Sequence, residues 1–206
     1  MADPEGAWLV VGLGNPGPTY SRTRHNAGYL VADLLAARVA GSAGGSASPW
    51  RSHKSGRAQV VEGRLGGIPG QPGPRVVLGR ARSYMNESGG PVSTLLSFYK
   101  VPAERLVIVH DELDIPLGEL RVKFGGGDNG HNGLKSLRRS LSTGDYYRVR
   151  FGVGRPPGRR PTVDHVLSEF SASERRDLDH HVDRAADAVE CLVAEGLARA
   201  QNLYNG

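Results

Sequence analysis

The chain has 206 residues, of which 38% are hydrophobic and 23% charged, a composition typical of a globular protein with one substantial domain or two small ones. It contains no apolar run of about 18 residues, which argues against a membrane-spanning helix, and its first residues lack the basic start and apolar core of a secretory signal. Lysine and arginine number 26 against 21 aspartates and glutamates, and the net charge of +5 favours a nucleic-acid partner only weakly. A single cysteine, Cys191, cannot form an internal disulfide, and we expect a cytoplasmic protein.

Predicted strands and helices alternate along the chain. Apolar or alternating runs predict strands at 8–13, 57–65, 75–78, 106–109, 119–124 and 147–153. Apolar residues at helical spacing predict helices at 23–39, 91–99 and 132–141. A segment resembling a capping box, 171–174, begins an amphipathic helix that continues through Leu197. Interleaved strands and helices predict an α/β fold with a mixed sheet flanked by helices.

Two segments lack any hydrophobic period. Small residues dominate 41–49, which we interpret as a flexible loop, and glycine and proline dominate 63–74, which we interpret as a hairpin loop. Neither segment is long enough to separate two domains. We therefore expect one domain that spans residues 1–206.

The first predicted strand ends in VVGLGNPG, where Gly12, Gly14 and Gly17 match the G-x-G-x-x-G pattern of a dinucleotide-binding turn. Such a turn needs a helix that begins at the third glycine, but Pro18 restricts Gly17 away from the helical region. The acidic residue expected about 20 positions later would be Asp33. It lies within a helical pattern rather than at the end of a second strand, so a dinucleotide site is the weaker interpretation.

Four polar, glycine-containing stretches each follow a predicted strand or begin a predicted helix. They are GLGNPGPTYSRTRHNAG (12–28), SYMNESGG (83–90), HDELDIPLG (110–118) and GGGDNGHNGLK (125–135). Taken singly, their asparagines and aspartates could be turn formers and helix caps. Four such stretches around one sheet instead favour a shared ligand-binding cleft, because ligands of α/β proteins bind at the carboxyl ends of the strands.

In this order and spacing, the four stretches resemble those of the bacterial-type peptidyl-tRNA hydrolases. The resemblance extends from about residue 8 to about residue 200. It implies one compact α/β domain with a twisted mixed sheet and a cleft whose rim is partly formed by the C-terminal helix. The sequence departs from the family at Arg80-Ala81-Arg82-Ser83, where Lys-Pro-x-Thr is usual, so this loop lacks a rigid proline.

The resemblance implies hydrolysis of the ester between an N-blocked peptide and the 3′ ribose of tRNA, which recycles peptidyl-tRNA dropped from ribosomes. The partner would be the acceptor stem and 3′ end of the tRNA, with no membrane, and we expect a monomer. An ester is more reactive than an amide, so a base-activated water can suffice. The sequence shows no Cys/His cluster and no H-E-x-x-H motif, and we expect no cofactor and no metal.

Motif matching assigns the general base to His25 and the carboxylate that orients it to Asp111. From the residues alone, His25 could equally be an exposed histidine at a helix N-terminus. Strand alternation turns Glu112, the neighbour of Asp111, to the other face. We expect His131 to shape the substrate site rather than to act as a base.

The matched asparagines and tyrosines are assigned to the substrate. Asn86 and Asn132 are neutral donors that could polarise the ester carbonyl or hold the water. Asn15 matches the position that distinguishes N-blocked peptidyl-tRNA from aminoacyl-tRNA. Tyr20 and Tyr84 match positions lining the site, where their rings could stack on a base, although ordinary half-buried tyrosines remain the alternative.

Lys123 and Arg150 match the basic positions that hold an acceptor-stem phosphate. Lys135, Arg138 and Arg139 could extend this basic surface or form a solvated helix face. The alternative to an enzyme is an RNA-binding homologue without activity. Retention of the base, its carboxylate and the amide donors argues against that alternative, and an ester-release assay separates the two.

Overall fold

The computed structural model of the chain describes residues 6–41, 49–67 and 70–206. Within these ranges, seven strands form one sheet in the order β2-β3-β4-β1-β5-β7-β6. The strands are β1 (Trp8–Gly12), β2 (Arg51–Ser52), β3 (Ala58–Arg64), β4 (Arg75–Ala81), β5 (Leu106–Glu112), β6 (Leu120–Phe124) and β7 (Tyr147–Gly152). The central strands β4, β1, β5 and β7 are parallel, whereas β2, β3 and β6 pair antiparallel with their neighbours, so the sheet is mixed as predicted.

Six α-helices are present among the described residues: α1 (Ala27–Gly41), α2 (Gly89–Tyr99), α3 (Asn132–Leu141), α4 (Thr162–Val166), α5 (Arg175–Glu195) and α6 (Leu197–Tyr204). They cover both faces of the sheet. One core contains residues of α1, α5 and α6, and the other contains residues of α2 and α3. Alternate residues of β1 enter the two cores, Val10 the first and Leu9 and Val11 the second, which explains why this strand is apolar throughout.

The fold confirms the predicted α/β class, and the observed elements differ from the predicted ones at their ends. The helix predicted from residue 23 begins at Ala27, because Arg24–Asn26 forms a 3-10 turn. The predicted C-terminal helix is α5, which ends at Glu195 because Gly196 adopts a φ of 90°, and α6, which was not predicted, follows from Leu197. Strand β2 and helix α4, two and five residues long, are too short to produce a hydrophobic period and were not predicted.

The predictions for the two loops, 41–49 and 63–74, compare differently with the structure. Residues 42–48 of the first lie outside the described residues. Strands β3 and β4 pair antiparallel from Ala58↔Ala81 to Arg64↔Arg75, which confirms the hairpin, although residues 68 and 69 of its loop also lie outside the described residues. Nowhere in the described ranges is a helix long and apolar enough to cross a bilayer.

The glycines of VVGLGNPG allow close packing of α1 on the sheet. A Cβ atom on Gly12 would lie 2.0 Å from the carbonyl oxygen of Gly28 in α1, and one on Gly28 would lie 2.4 Å from that of Val109 in β5. Gly17 has a φ of 96° and precedes a 3-10 turn, Pro18–Tyr20, rather than an α-helix. The geometry of a dinucleotide-binding turn is therefore absent here.

Candidate active site

A cleft of about 680 Å³ opens at the carboxyl ends of the parallel strands β1 and β5. Eight of the ten residues predicted for the site line it: Asn15, Tyr20, His25, Tyr84, Asn86, Asp111, His131 and Asn132. The other two, Lys123 and Arg150, line a separate cavity. The helix at the rim is α4, which contributes Thr162, Val163 and Val166, and not the C-terminal helix that the resemblance implied. Helix α5 packs against α1, and α6 against β6.

His25 and Asp111 form a buried pair at the floor of the cleft. The Nδ1 atom of His25 lies 3.0 Å from each carboxylate oxygen of Asp111, and only 11% and 2% of the two side chains is exposed. Burial alone would raise the pKa of Asp111, but the adjacent His25 and His131 rings outweigh burial and hold that pKa below its usual range. Asp111 is therefore ionised, accepts the Nδ1–H of His25 and leaves Nε2 as the basic nitrogen of that ring.

His131 contacts the same carboxylate from the other side. As the N-cap of α3, it accepts hydrogen bonds at Nδ1 from the backbone N–H groups of Gly133 (3.1 Å) and Leu134 (3.4 Å). Its proton therefore resides on Nε2, which donates to Asp111 Oδ1 at 2.9 Å. Both ring nitrogens of His131 are therefore engaged, and its ring holds the carboxylate of Asp111.

The same three side chains are the group of described residues that could hold a metal ion. One ligand atom each from His25, Asp111 and His131 lies within 4.8 Å of the others. The sequence showed no such cluster because the three residues come from separate motifs. In this arrangement both histidines bond the carboxylate directly at 2.9–3.0 Å. On this assignment the Nδ1 atom of His25 and the Nε2 atom of His131 each carry the proton that they donate to Asp111, and an ion bound here would have to displace both protons.

Asn15 is buried, and its side chain has a defined orientation. Its Oδ1 accepts the backbone N–H of Met85 at 2.8 Å. Its backbone N–H donates to Asn26 Oδ1 at 2.8 Å, and Asn26 Nδ2 donates back to the Asn15 carbonyl at 2.9 Å. With Oδ1 occupied, the Nδ2 donor of Asn15 remains for a ligand in the cleft.

The other predicted polar residues are more exposed. Asn86 and Asn132 line the cleft and also a neighbouring cavity of about 560 Å³ that contains the cationic side chains of α3, Lys135, Arg138 and Arg139. Tyr20 and Tyr84 meet edge to face at the opening of the cleft, with ring centroids 6.2 Å apart. Tyr84 is 56% exposed, so one aromatic face is open to a ligand.

Lys123 and Arg150 lie beside a third cation, Arg148, around a cavity of about 330 Å³. Lys123 is the cross-strand partner of Arg148, and Arg150 follows on the same face of β7. Burial lowers the pKa of Lys123, and the nearby Arg150 and Arg148 lower it further. Three clustered cations make this cavity suited to an anion.

Several residues of the site were missed by the sequence analysis. Arg148 is 3% exposed and donates hydrogen bonds to the carbonyl groups of Gly126 and Gly127. These bonds shape the wall of the cavity of Lys123 and Arg150. Glu112 lines both the cleft and that cavity. Strand alternation could have indicated both, because Arg148 lies two residues before Arg150 and Glu112 was already predicted to face away from Asp111. Nothing in the sequence pattern indicated the apolar wall that α4 contributes.

Comparison with known proteins gives a consistent result. The sequence matches the family described as peptidyl-tRNA hydrolase over residues 9–206. It is 59% identical over 203 residues to the peptidyl-tRNA hydrolase of Streptomyces coelicolor, covering 98% of this chain and 97% of that protein. Identity to the peptidyl-tRNA hydrolase of Mycolicibacterium smegmatis is 52% over 202 residues, covering 98% and 97%. The crystal structure of peptidyl-tRNA hydrolase from Acinetobacter baumannii superimposes with a TM-score of 0.83 at 31% identity, covering 100% of this chain and 98% of that chain.

Proposed function

The chain belongs to the peptidyl-tRNA hydrolase family, whose function is the hydrolysis of peptidyl-tRNA, and from this premise we propose which residues perform the reaction. His25 is the general base, and the observation that carries this assignment is its buried pair with Asp111 at the floor of the cleft. The Nε2 atom of His25 removes a proton from water as the water attacks the ester carbonyl. Asp111 stabilises the imidazolium that forms, as in other histidine–carboxylate pairs.

The asparagines stabilise the charge that develops during the attack. Amide N–H groups of Asn86 and Asn132 donate to the carbonyl oxygen as it becomes an oxyanion, and neutral donors do not compete for the proton. When the tetrahedral intermediate collapses, the bond from the carbonyl carbon to the 3′ oxygen of the ribose breaks. The imidazolium of His25 returns its proton to that oxygen, and the free peptide and tRNA leave.

Asn15 selects substrates whose amino group is blocked. Its Nδ2 donor can bond the carbonyl oxygen of an N-acyl group, but it opposes a free ammonium, which also carries only donors. Tyr20 and Tyr84 provide ring faces for the terminal base or a peptide group. Lys123 and Arg150 hold an acceptor-stem phosphate, because their cavity concentrates positive charge. The enzyme acts as a cytoplasmic monomer without a metal.

Replacement of His25 by alanine tests the mechanism. We expect turnover of N-acetylaminoacyl-tRNA to fall by about 10² to 10⁴, the usual contribution of a general base. His180→Ala is the matched control, because this histidine is exposed on α5. Release of labelled amino acid is measured in single-turnover and steady-state assays. A His25→Ala protein with near wild-type turnover contradicts the assignment, and a loss of activity on chelation that occurs with a short substrate contradicts metal independence.

A further inference from the structure

Glu112 lies at the junction between the two cavities of the site. It is the last residue of β5 and follows Asp111 directly, and its side chain points to the opposite face of the sheet. Only 6% of the side chain is exposed, although it lines both the cleft and the cavity of Lys123 and Arg150. A buried carboxylate in this position needs a defined set of partners.

Both carboxylate oxygens of Glu112 are engaged. Its Oε2 accepts from Nε and Nη2 of Arg150 at 3.1 and 3.0 Å. Its Oε1 accepts from Nδ2 of Asn129 at 2.9 Å and from the backbone N–H of Asp114 at 3.3 Å. The carboxylate is therefore held on both sides, and it restrains one edge of the Arg150 guanidinium while the remaining N–H groups stay available for a second acceptor.

We propose that Glu112 is a positioning residue that fixes Arg150 relative to the His25–Asp111 pair, so that a phosphate bound at Arg150 places the ester at the base. This proposal rests on the proposed phosphate contact of Arg150. Asp111 and Glu112 are consecutive residues of one buried strand, so the carboxylate that orients the base and the one that orients the cation are attached to adjacent backbone positions. Restraint of this kind strengthens binding of the phosphate, because an arginine that is already ordered loses less conformational entropy when the phosphate binds.

If Glu112 acted only through its charge, its removal would change the affinity for tRNA in the opposite direction. A carboxylate 3.0 Å from Arg150 offsets part of that cation's attraction for phosphate. Its removal would therefore tighten tRNA binding if charge alone mattered. If Glu112 instead restrains a long, flexible arginine, its removal weakens binding, because the phosphate must then order Arg150 itself.

Kinetics of Glu112→Gln, Arg150→Gln and the double variant distinguish these alternatives. The substrates are N-acetylaminoacyl-tRNA and an N-acetylaminoacyl ester of a short 3′-CCA oligonucleotide, which lacks the acceptor stem. For Glu112→Gln we expect kcat/KM on the tRNA to fall about 10- to 100-fold, as for a lost charge-assisted hydrogen bond, mainly through KM. The advantage of the tRNA over the short substrate should shrink by the same factor.

The double variant tests whether Glu112 acts through Arg150. In the Arg150→Gln background, adding Glu112→Gln should change kcat/KM by less than about threefold, since residues that act together are not additive. Glu119→Gln is the matched control, because it removes a carboxylate that is 45% exposed near β6 and outside both cavities. We expect its KM to equal that of the wild type.

Three results overturn the proposal. If Arg150→Gln raises KM but Glu112→Gln leaves KM unchanged or lowers it, the positioning role of Glu112 is refuted, and the phosphate contact of Arg150 stands. Additive losses in the double variant also refute it. If Arg150→Gln leaves KM unchanged, the phosphate contact itself is wrong and both proposals fall. Should Glu112→Gln fail to fold, Asn129→Gly removes one of its restraints at an exposed residue whose φ of 48° glycine adopts easily, and KM should rise in the same direction.

Discussion

At the residue scale, the orientation of each polar group follows from the partner that occupies its other atoms. The backbone N–H groups of Gly133 and Leu134 place the proton of His131 on Nε2, and this proton then meets Asp111. The backbone N–H of Met85 occupies Oδ1 of Asn15 and leaves Nδ2 for the ligand. In both cases main-chain donors determine what a side chain offers to the cleft.

Asn15→Asp tests whether this orientation underlies selectivity. One carboxylate oxygen can still accept from Met85, but the other replaces the Nδ2 donor by a negatively charged acceptor, which attracts a free ammonium. We expect the ratio of kcat/KM for N-acetylaminoacyl-tRNA over aminoacyl-tRNA to fall at least about tenfold, or about 1.4 kcal/mol. The two substrates are compared in parallel with one tRNA. An unchanged ratio would show that another group reads the amino end.

At the element scale, the turn that carries His25 is fastened to the chain between α4 and α5. Arg24 is 6% exposed, and its Nη1 donates to the Oγ of Ser168 and the carbonyl of Glu169, both at 2.7 Å, while its Nη2 pairs with Glu174. Burial opposes ionisation of Glu174, but its hydrogen bonds from Arg24 and Ser171 prevail and lower its pKa to about 2. The rim helix α4 and the turn of His25 are thereby held by one buried arginine.

Glu174→Gln should weaken this fastening in a pH-dependent way. Since the pKa of Glu174 is lower in the folded protein than in the unfolded chain, its carboxylate stabilises the fold above about pH 4.5. That stabilisation is lost as the pH falls towards about 2. At pH 7 we expect the variant to lose about 1–2 kcal/mol of unfolding free energy. The difference from wild type should narrow between pH 5 and about pH 3.

Urea denaturation at several pH values measures this difference. Glu169→Gln is the control, because its carboxylate is 56% exposed and lies 3.9 Å from Arg175, so we expect a change of less than about 0.5 kcal/mol. A Glu174→Gln deficit that is the same at pH 7 and pH 3 would mean that the ionic contact does not contribute.

At the scale of the whole molecule, the cationic groups are distributed around the cleft. Lys123, Arg148 and Arg150 surround one adjoining cavity, and the basic residues of α3 line another. The net charge of +5 is modest, so the positions of these cations around the cleft matter more for binding RNA than the total charge of the protein does. An acceptor stem held at these cavities would lie beside the cleft with its 3′ end directed into it.

Lys123→Ala should therefore weaken tRNA binding and its salt dependence together. Phosphate contacts release counterions, so removal of one cation lowers the slope of log affinity against log salt by about one. We expect KM to rise more than kcat falls, because the contact is made before and during chemistry alike. Steady-state kinetics at several salt concentrations measure both effects.

Arg75→Ala is the control for charge, because this exposed residue is the first of β4. It therefore lies at the amino ends of the parallel strands, whereas the cleft opens at their carboxyl ends. Its slope and KM should match those of the wild type. If Lys123→Ala also retains the wild-type slope, the RNA contacts another surface, and the α3 cations become the next residues to replace.

The periodicity of the sequence predicted six strands and the helices α1, α2, α3 and α5, and its motifs predicted that His25, Asp111, Asn15, Asn86 and Asn132 lie at one cleft, which all five line. They could do so because hydrophobic periods report local burial, and because polar residues beside strand ends share one edge of an α/β sheet. They also predicted that Glu112 faces away from Asp111, which is a local property of any strand.

Contacts between distant parts of the chain depended on the tertiary structure. His25 meets Asp111 across 86 residues, and Arg24 meets Glu174 across 150. Other features of the site also join residues that are distant in the sequence. They are the hydrogen bonds of two histidines to one carboxylate, the position of α4 at the rim of the cleft, and the ion pair of Glu112 with Arg150. No local period encodes them, because the packing of α1, α3 and β7 around β5 determines which side chains come within hydrogen-bonding distance.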